Sequence, residues 1–373
     1  MTRLKTGSKT GSHSQAGVQT IAEIISQPET WQQCLAVLDQ NGELSALDEV
    51  LPRDTEWVFV GCGSSFYLAQ IAAATWSNLT GENARAMPAS DILLFPTLLP
   101  QACQPVLISR SGQTSEVLQV AAYFERRLSV KTLAITCGEN TPIEEISSHL
   151  IKLRPADEES TVMTRSFTSM LIALQAFAAA RSRRADIRDA LRALSAQIEK
   201  RMDEVHSTIR SLAQSKAFAD YVFLGQGPFF GVAQEAMLKV TEMSCSYAQS
   251  FHTLEFRHGP KAMVSPETLV TFFLSESGFR EETAVLEEIK ELGGTTLVVT
   301  DRVNSAIRRC ADELVDIGLS LPEAAWPAAA VIPGQLLGFY AGIRKGFDPD
   351  RPRHLTRVVT LEGRDDGGPN REP

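Results

Sequence analysis

Four side chains between residues 235 and 258 are of the types that move protons to and from carbon. Glu235, Lys239 and Glu242 are spaced at i, i+4 and i+7, so a helix would carry them on one face. His258 follows in a loop, directly before a Gly-Pro chain break. A carboxylate, an ammonium and an imidazole can together perform general acid–base catalysis. Taken alone, however, the pattern is more typical of a surface Glu–Lys pair and an ordinary loop histidine.

A turn rich in hydroxyls forms the second candidate site. Residues 109–114 read Ser-Arg-Ser-Gly-Gln-Thr and lie between a predicted strand and a predicted helix. Backbone N–H groups at such a turn point towards one spot, and the helix dipole favours an anion there. One hydroxyl would indicate only a helix cap, whereas three around a glycine favour a phosphate site.

A neighbouring turn, residues 61–65, reads Gly-Cys-Gly-Ser-Ser. It is not a dinucleotide-binding fingerprint, because Phe66 stands where a third glycine is needed. Ser64 and Ser65 are candidate sugar contacts. We interpret Cys62 as a packing residue, since no partner histidine stands out.

Strands and helices alternate around these turns, which predicts parallel sheets flanked by helices. The pattern occurs twice: residues 58–63 match residues 222–227, residues 109–112 match 275–278, and residues 133–136 match 297–300. We therefore predict two tandem doubly wound (flavodoxin-like) α/β domains, over residues 18–200 and 201–362. Residues 1–17 and 363–373 are predicted to be flexible tails. The first copy keeps the hydroxyl turn and the second keeps the charged helix, so we expect one shared cleft.

Composition limits the class of protein. The chain has 373 residues, 43% of them hydrophobic, and a net charge of −9, which is typical of a globular protein and argues against nucleic-acid binding. No membrane-length apolar run or signal peptide is visible. Six cysteines without a CxxC pair are typical of a reducing cytoplasm, and they form no zinc pattern. We expect a cytoplasmic protein without a metal or cofactor.

The chain resembles the SIS (sugar isomerase) proteins over about residues 20–362. It looks like the isomerase half of glucosamine-6-phosphate synthase and like the bacterial galactosamine/glucosamine-6-phosphate deaminase–isomerases, often called tagatose-6-phosphate ketose/aldose isomerases. The marks of the resemblance are residues 109–114, the helix Glu235–Glu242 and residues 255–261, Glu-Phe-Arg-His-Gly-Pro-Lys. Residues 87–91 and 23–31 favour the deaminase–isomerase branch.

The resemblance implies a role for each marked residue. Glu242 would move a proton between C1 and C2 of a sugar phosphate, Lys239 would stabilise the developing oxyanion, and His258, reaching in from a second subunit of a homodimer, would open the ring. The phosphate would be held by Ser109, Ser111 and Thr114 with the backbone of Arg110 and Gln113. The sugar would be contacted by Gly63, Ser64, Ser65, Glu255 and Arg357.

Two departures from the synthase narrow the expected activity. Arg357 stands where the synthase has a lysine, and arginine cannot form a Schiff base. About 50 residues precede the first predicted strand, too few for a glutaminase domain, so we expect no glutamine-dependent synthesis. Three functions stay open: isomerisation or deamination of a hexosamine 6-phosphate or related aldose/ketose phosphate, deglycation of fructosamine phosphates, and phosphosugar sensing without chemistry. The sequence does not choose between gluco, galacto and fructosamine substrates.

Overall fold

A computed structural model describes residues 16–40 and 42–360, and it contains two five-stranded parallel sheets. The first sheet has the order β2-β1-β3-β4-β5 and the second the order β7-β6-β8-β9-β10, so both repeats have the same topology. The first comprises β1 (Glu56–Gly61), β2 (Ala84–Pro88), β3 (Cys103–Ile108), β4 (Leu133–Thr136) and β5 (His149–Lys152). The second comprises β6 (Asp220–Gly225), β7 (Tyr247–His252), β8 (Thr268–Phe273), β9 (Thr295–Thr300) and β10 (Glu313–Asp316). The predicted fold class, two tandem doubly wound α/β domains, is confirmed.

Helices cover both faces of the sheets. In the first part of the chain they are α1 (Val18–Ile25), α2 (Gln27–Gln40), α3 (Glu43–Val50), α4 (Ser64–Thr80), α5 (Ala89–Leu94), α6 (Ser115–Ala122), α7 (Pro142–Ile146), α8 (Arg165–Arg181) and α9 (Ala185–Glu199). In the second part they are α10 (Met202–Ser215), α11 (Pro228–Ser244), α12 (Phe279–Glu291), α13 (Ser305–Cys310) and α14 (Pro327–Arg344). None of the described helices is both long and apolar enough to cross a membrane.

The two Gly-x-Gly turns have the same conformation in both repeats. Gly63 and Gly227 have φ/ψ of 55°/−127° and 54°/−127°, a region open only to glycine. A Cβ on Gly61 or Gly225 would lie 2.4 or 2.1 Å from the first turn of the helix that follows. Each turn therefore needs both glycines to bring a helix start against the end of the strand before it, β1 or β6.

Three segments differ from what their residue patterns predict. The sequence near residues 334–345 predicts a helix there, but α14 begins at Pro327 and continues through Pro333, because packing on all sides of α14 outweighs the lost backbone hydrogen bond. The run 358–361 predicts a strand, but its described residues 358–360 are irregular and pair with no sheet. The arginine-rich sequence 181–201 predicts a solvated helix, but α9 within it buries an apolar stripe of Ile187, Leu191, Leu194 and Ile198.

The tails predicted over residues 1–17 and 363–373 lie outside the described residues, except for residues 16 and 17. The predicted boundary between the domains at residue 200 stays a prediction. It falls in the short turn between α9 and α10, where the chain passes from one sheet to the other.

Candidate active site

The centre of the candidate site is a buried group of polar side chains contributed by both repeats. The Glu235 and Lys239 side chains on α11 are fully buried, with Lys239 Nζ 3.3 Å from Glu235 Oε1. Lys239 also donates to the hydroxyl of Ser64 at 3.1 Å, and Ser64 donates to Glu235 Oε1 at 3.1 Å. Ser64 begins α4 in the other repeat. The interpretation of residues 235–239 as a surface pair is therefore wrong.

Glu242 connects this buried group to the surface. Its Oε2 lies 2.5 Å from Lys239 Nζ, and 18% of its side chain is exposed. Together with Arg351 and Arg353, Glu242 lines a cleft of about 230 Å³. A carboxylate fixed by a buried ammonium and open to a cleft can take a proton from a bound molecule and return it.

The electrostatics of the group follow from two carboxyl groups sharing one ammonium. Burial outweighs the attraction of Lys239 and, together with the charge on Glu242, raises the pKa of Glu235 to about 8. Burial on its own would lower the pKa of Lys239, but the attraction of Glu235 and Glu242 outweighs it and raises that pKa. Lys239 therefore stays charged, while Glu235 holds a proton near neutral pH.

Glycines at the helix contacts let α11 pack closely against α14 and α4, which positions Glu235 and Lys239. Gly334, Gly338 and Gly342 of α14 face α11 so closely that a Cβ on them would lie 2.4 Å from Ala236 Cβ, 2.6 Å from the Lys239 carbonyl oxygen and 2.3 Å from the Met243 carbonyl oxygen. Gly231 of α11 lies equally close to α4, where its Cβ would be 2.5 Å from Ile71. The two contacts fix α11 between α4 and α14, which buries the face that carries Glu235 and Lys239.

The hydroxyl turn lies at the same sheet edge as Ser64. Residues 109–114 follow β3 as Ser64 follows β1, and these two strands are paired in parallel. Because neighbouring strands lie about 5 Å apart, the turn and the buried group are close neighbours.

Within the turn, Ser109 is buried and its hydroxyl accepts the N–H of Gly112 at 3.1 Å. Ser111 and Thr114 are half-buried. Ser109 thus braces the turn, whereas Ser111 and Thr114 remain within reach of a ligand.

Arg110 points into the protein instead of towards a ligand. Its guanidinium is buried, lies 3.5 Å from the Glu158 carboxylate, and donates to the Thr161 carbonyl oxygen at 3.1 Å. It also donates to the Arg357 carbonyl oxygen at 2.8 Å. The Arg110 side chain is therefore occupied within the protein, and a phosphate contact from its backbone stays a prediction.

The segment after α14 joins the cleft to the hydroxyl turn. Arg353 lines the cleft beside Glu242, and the Arg357 carbonyl oxygen is held by Arg110 in the turn. Arg357 is four positions after Arg353, so their Cα atoms lie at most about 14 Å apart. The exposed Arg357 side chain pairs with Asp157 at 2.7 Å.

His258 and Glu255 lie elsewhere on the surface of the same chain. Both are exposed in the 3₁₀ turn that follows β7. Among the described residues, the His258 imidazole has no hydrogen-bond or ion-pair partner. One chain therefore brings together Ser64, Lys239 and Glu242 near the hydroxyl turn, whereas among the described residues no hydrogen bond or ion pair joins His258 or Glu255 to them. Within the described part of the chain, no group of three His, Cys, Asp or Glu side chains is placed to hold a metal ion.

Sequence reasoning missed two residues at this site. Met163 lies before α8, and its sulfur is 3.8 Å from the Ser65 hydroxyl. Tyr67 lies one turn after Ser64; burial and the nearby Glu235 and Glu242 charges raise the pKa of its phenol. No motif marks either residue. Spacing along α4 could have indicated Tyr67, whereas Met163 is brought in only by the tertiary fold.

Comparison with known proteins identifies the family. The SIS domain model matches residues 54–180 and 219–337, more than half of the chain, so the chain belongs to the SIS domain family. The two matched segments contain the two sheets.

Solved structures and curated proteins of this type are similar over most of the chain. Glucosamine-6-phosphate deaminase from Thermotoga maritima is 29% identical with a TM-score of 0.77, covering 92% of this chain and all of that one. Tagatose-6-phosphate ketose/aldose isomerase from Escherichia coli is 23% identical with a TM-score of 0.79, covering 90% and 95%, which shows the shared fold. The glutamine–fructose-6-phosphate aminotransferase of Methanothermobacter thermautotrophicus is 23% identical over 333 residues, 89% of this chain and 54% of that protein. The chain thus spans about half the length of the curated relatives it matches.

Proposed function

We propose that this protein is a phosphosugar isomerase or aminosugar-phosphate deaminase that transfers a proton between C1 and C2 of a hexosamine 6-phosphate or related sugar phosphate. The observation that carries the proposal is the buried Ser64–Glu235–Lys239 group with Glu242 at its surface end. It lies at the sheet edge that also carries the hydroxyl turn. The names of the Thermotoga and Escherichia structures support the same substrate class.

The reaction on an amino sugar would run as follows. Ser111, Thr114 and the backbone of the turn bind the 6-phosphate, which fixes the far end of the open-chain aldose. Glu242 removes the proton from C2, and the electron pair forms the C1–C2 double bond of an enolamine while the aldehyde oxygen takes a proton from water. Lys239 stabilises the charge that develops on that oxygen. Glu242 then delivers its proton to C1, water hydrolyses the resulting C2 imine, and ammonia and a ketose 6-phosphate leave.

We also propose that a second copy of the chain supplies His258 for ring opening. The support is that His258 and Glu255 are exposed and that, among the described residues, no hydrogen bond or ion pair joins them to the group around Lys239 in their own chain. An imidazole that must reach a ring oxygen has to lie within about 3 Å of it. In a homodimer, the exposed turn 255–258 of one copy could enter the cleft of the other.

Glu242→Gln tests the reaction. The amide keeps the shape of the side chain but accepts no proton from carbon, so we expect turnover to fall by at least about a thousandfold. Binding of the sugar phosphate, measured by calorimetry, should change little. Ammonia and ketose products are followed on a panel of glucosamine, galactosamine and fructosamine 6-phosphates. Glu199→Gln, at an exposed glutamate of α9, is the matched control.

The outcomes separate the candidate functions. Wild-type activity in Glu242→Gln would refute the assignment of the base. Sugar-phosphate binding without any product from the wild-type chain would favour a sensor. Release of a substituted amine from a fructosamine phosphate, with no ammonia from the hexosamines, would favour a deglycase.

A further inference from the structure

The second repeat carries a turn in the same position as the hydroxyl turn. Residues 275–278, Ser-Glu-Ser-Gly, follow β8, which pairs with β6 as β3 pairs with β1, and they precede α12. The proposed function does not use this turn. The N–H and hydroxyl groups of this turn nevertheless donate hydrogen bonds, and their acceptors are the carboxylates of Glu282 and Glu323.

Glu323 supplies the outer carboxylate. Its Oε1 accepts the backbone N–H of Glu276 at 2.6 Å and of Ser277 at 3.2 Å. Its Oε2 accepts the hydroxyl of Ser277 at 2.6 Å. Successive backbone N–H groups and a hydroxyl that hold two oxygens of one anion are the means by which strand-to-helix turns bind phosphate. An anionic group from a distant part of the sequence is thus seated where a phosphate would lie.

A second carboxylate completes the inner side of the turn. Glu282 is fully buried, accepts the N–H of Ser275 at 3.3 Å and the Ser275 hydroxyl, and accepts the Thr253 hydroxyl at 3.2 Å. The first repeat differs, because among the described residues no carboxylate accepts a backbone N–H of residues 109–114.

The segment that supplies Glu323 has a counterpart in the first repeat. In each repeat, a segment joins the last strand of the sheet to its long buried helix: residues 153–164 lead to α8, and residues 317–326 lead to α14. The first segment brings the Glu158 carboxylate against the Arg110 side chain, and this carboxylate takes no backbone N–H of the hydroxyl turn. The second brings the carboxylate of Glu323 into the turn. The two copies thus differ in what the same segment presents to the anion-binding edge.

We propose that residues 275–278 form a second anion site of the phosphomonoester type, which the chain closes with its own Glu323 carboxylate. Each chain then offers one free phosphate site, and Glu323 prevents the second repeat from binding substrate. Glu276 and Asp301 add negative charge nearby and Arg302 adds positive charge. The proposal rests on the proposed function in one respect: the free phosphate site of the first repeat is the one that the proposed function assigns to residues 109–114.

The test is a calorimetric titration of the full chain with inorganic phosphate. We expect one phosphate per chain for the wild type and two for Glu323→Ala. Ser111→Ala in the Glu323→Ala background should leave one, which belongs to the second repeat and does not compete with substrate. Ser277→Ala in the Glu323→Ala background should instead remove the phosphate bound by the second repeat. Glu323→Ser is a second opening variant with a shorter polar side chain.

Several results would overturn the proposal. Folded Glu323→Ala and Glu323→Ser chains that bind no more phosphate than the wild type would do so. A measurement on the wild type needs no variant: the amide NMR signals of Glu276 and Ser277 should stay unmoved by phosphate. Movement by phosphate with Glu323 in place would equally contradict the proposal. If the wild type binds no phosphate and Glu323→Ala binds one, the proposed function loses its phosphate turn while this inference stands.

Discussion

Replacing Glu235 by glutamine should stabilise the protein by an amount that grows with pH. The structure buries this carboxyl completely, and burial raises its pKa from 4.5 to about 8. A pKa difference of one between the folded and unfolded chains is worth about 1.4 kcal/mol. This rise therefore lowers the free energy of unfolding of the wild type by about 5 kcal/mol above about pH 8. Glutamine keeps an acceptor for Ser64 and Lys239 but does not titrate.

The direction follows from which state holds the proton. Below about pH 4.5 the carboxyl is protonated in both the folded and the unfolded chain, so wild type and variant differ by a constant. Between about 4.5 and 8 the unfolded chain releases the proton and the folded chain keeps it, so wild-type stability falls as pH rises. The advantage of Glu235→Gln therefore increases across this window by about 1.4 kcal/mol per pH unit and is constant above it.

The assay compares urea-unfolding midpoints of wild type and Glu235→Gln at several pH values between about 5 and 9. Glu199→Gln, an exposed control, should show no such trend. A difference that does not change with pH would refute the reasoning. A variant that becomes less stable than the wild type as pH rises would show that Glu235 is ionised and paired with Lys239. The same carboxyl predicts an activity loss above about pH 8 that Glu235→Gln removes.

Three further predictions concern the partner chain, specificity and packing. Mixing inactive His258→Asn and Glu242→Gln chains should restore about a quarter of wild-type activity through mixed dimers, one of whose two sites is complete; no recovery would place His258 in its own chain's site. Met163→Ala should change the ratio of kcat/KM between substrates with different amine substituents by roughly tenfold, whereas an equal loss on all of them would indicate a merely structural role. Gly338→Ala should lower the free energy of unfolding by roughly 1–3 kcal/mol, measured by urea unfolding, although alanine favours helices; a stabilised variant would contradict the close contact with the Lys239 carbonyl.

The sequence predicted the central strands and the repeat, because both leave local marks. Buried parallel strands such as β1, β4 and β6 are continuous apolar runs. The Gly-x-Gly turns recur because each needs a backbone conformation that only glycine adopts. Edge strands escaped prediction for the opposite reason: β5 and β7 are short or polar, with half-exposed residues and no apolar alternation.

At the candidate site, spacing predicted which residues share a helix face but not what that face contacts. The i, i+4, i+7 pattern is the same for a surface pair and for a buried group, and only the packing of α11 against α4 and α14 decides between them. Arg110 shows the same limit, since its guanidinium turns inward to Glu158 and the Arg357 carbonyl. Contacts between residues far apart in sequence, such as Met163 with Ser65, leave no periodic signal.

One repeat could not build this site by itself, and the reason is electrostatic. A fully buried ammonium is costly unless acceptors surround it. Lys239 finds two acceptors on its own helix, Glu235 and Glu242, and a third on Ser64 of the other repeat. Ser64 also donates to Glu235, so it keeps that carboxyl turned towards the ammonium. Separating α4 from α11 would expose the pair to water and release Glu242 from its fixed position. The contact between the repeats is therefore part of the site, and a change at Gly231, where α4 and α11 meet, should affect catalysis before it affects either sheet.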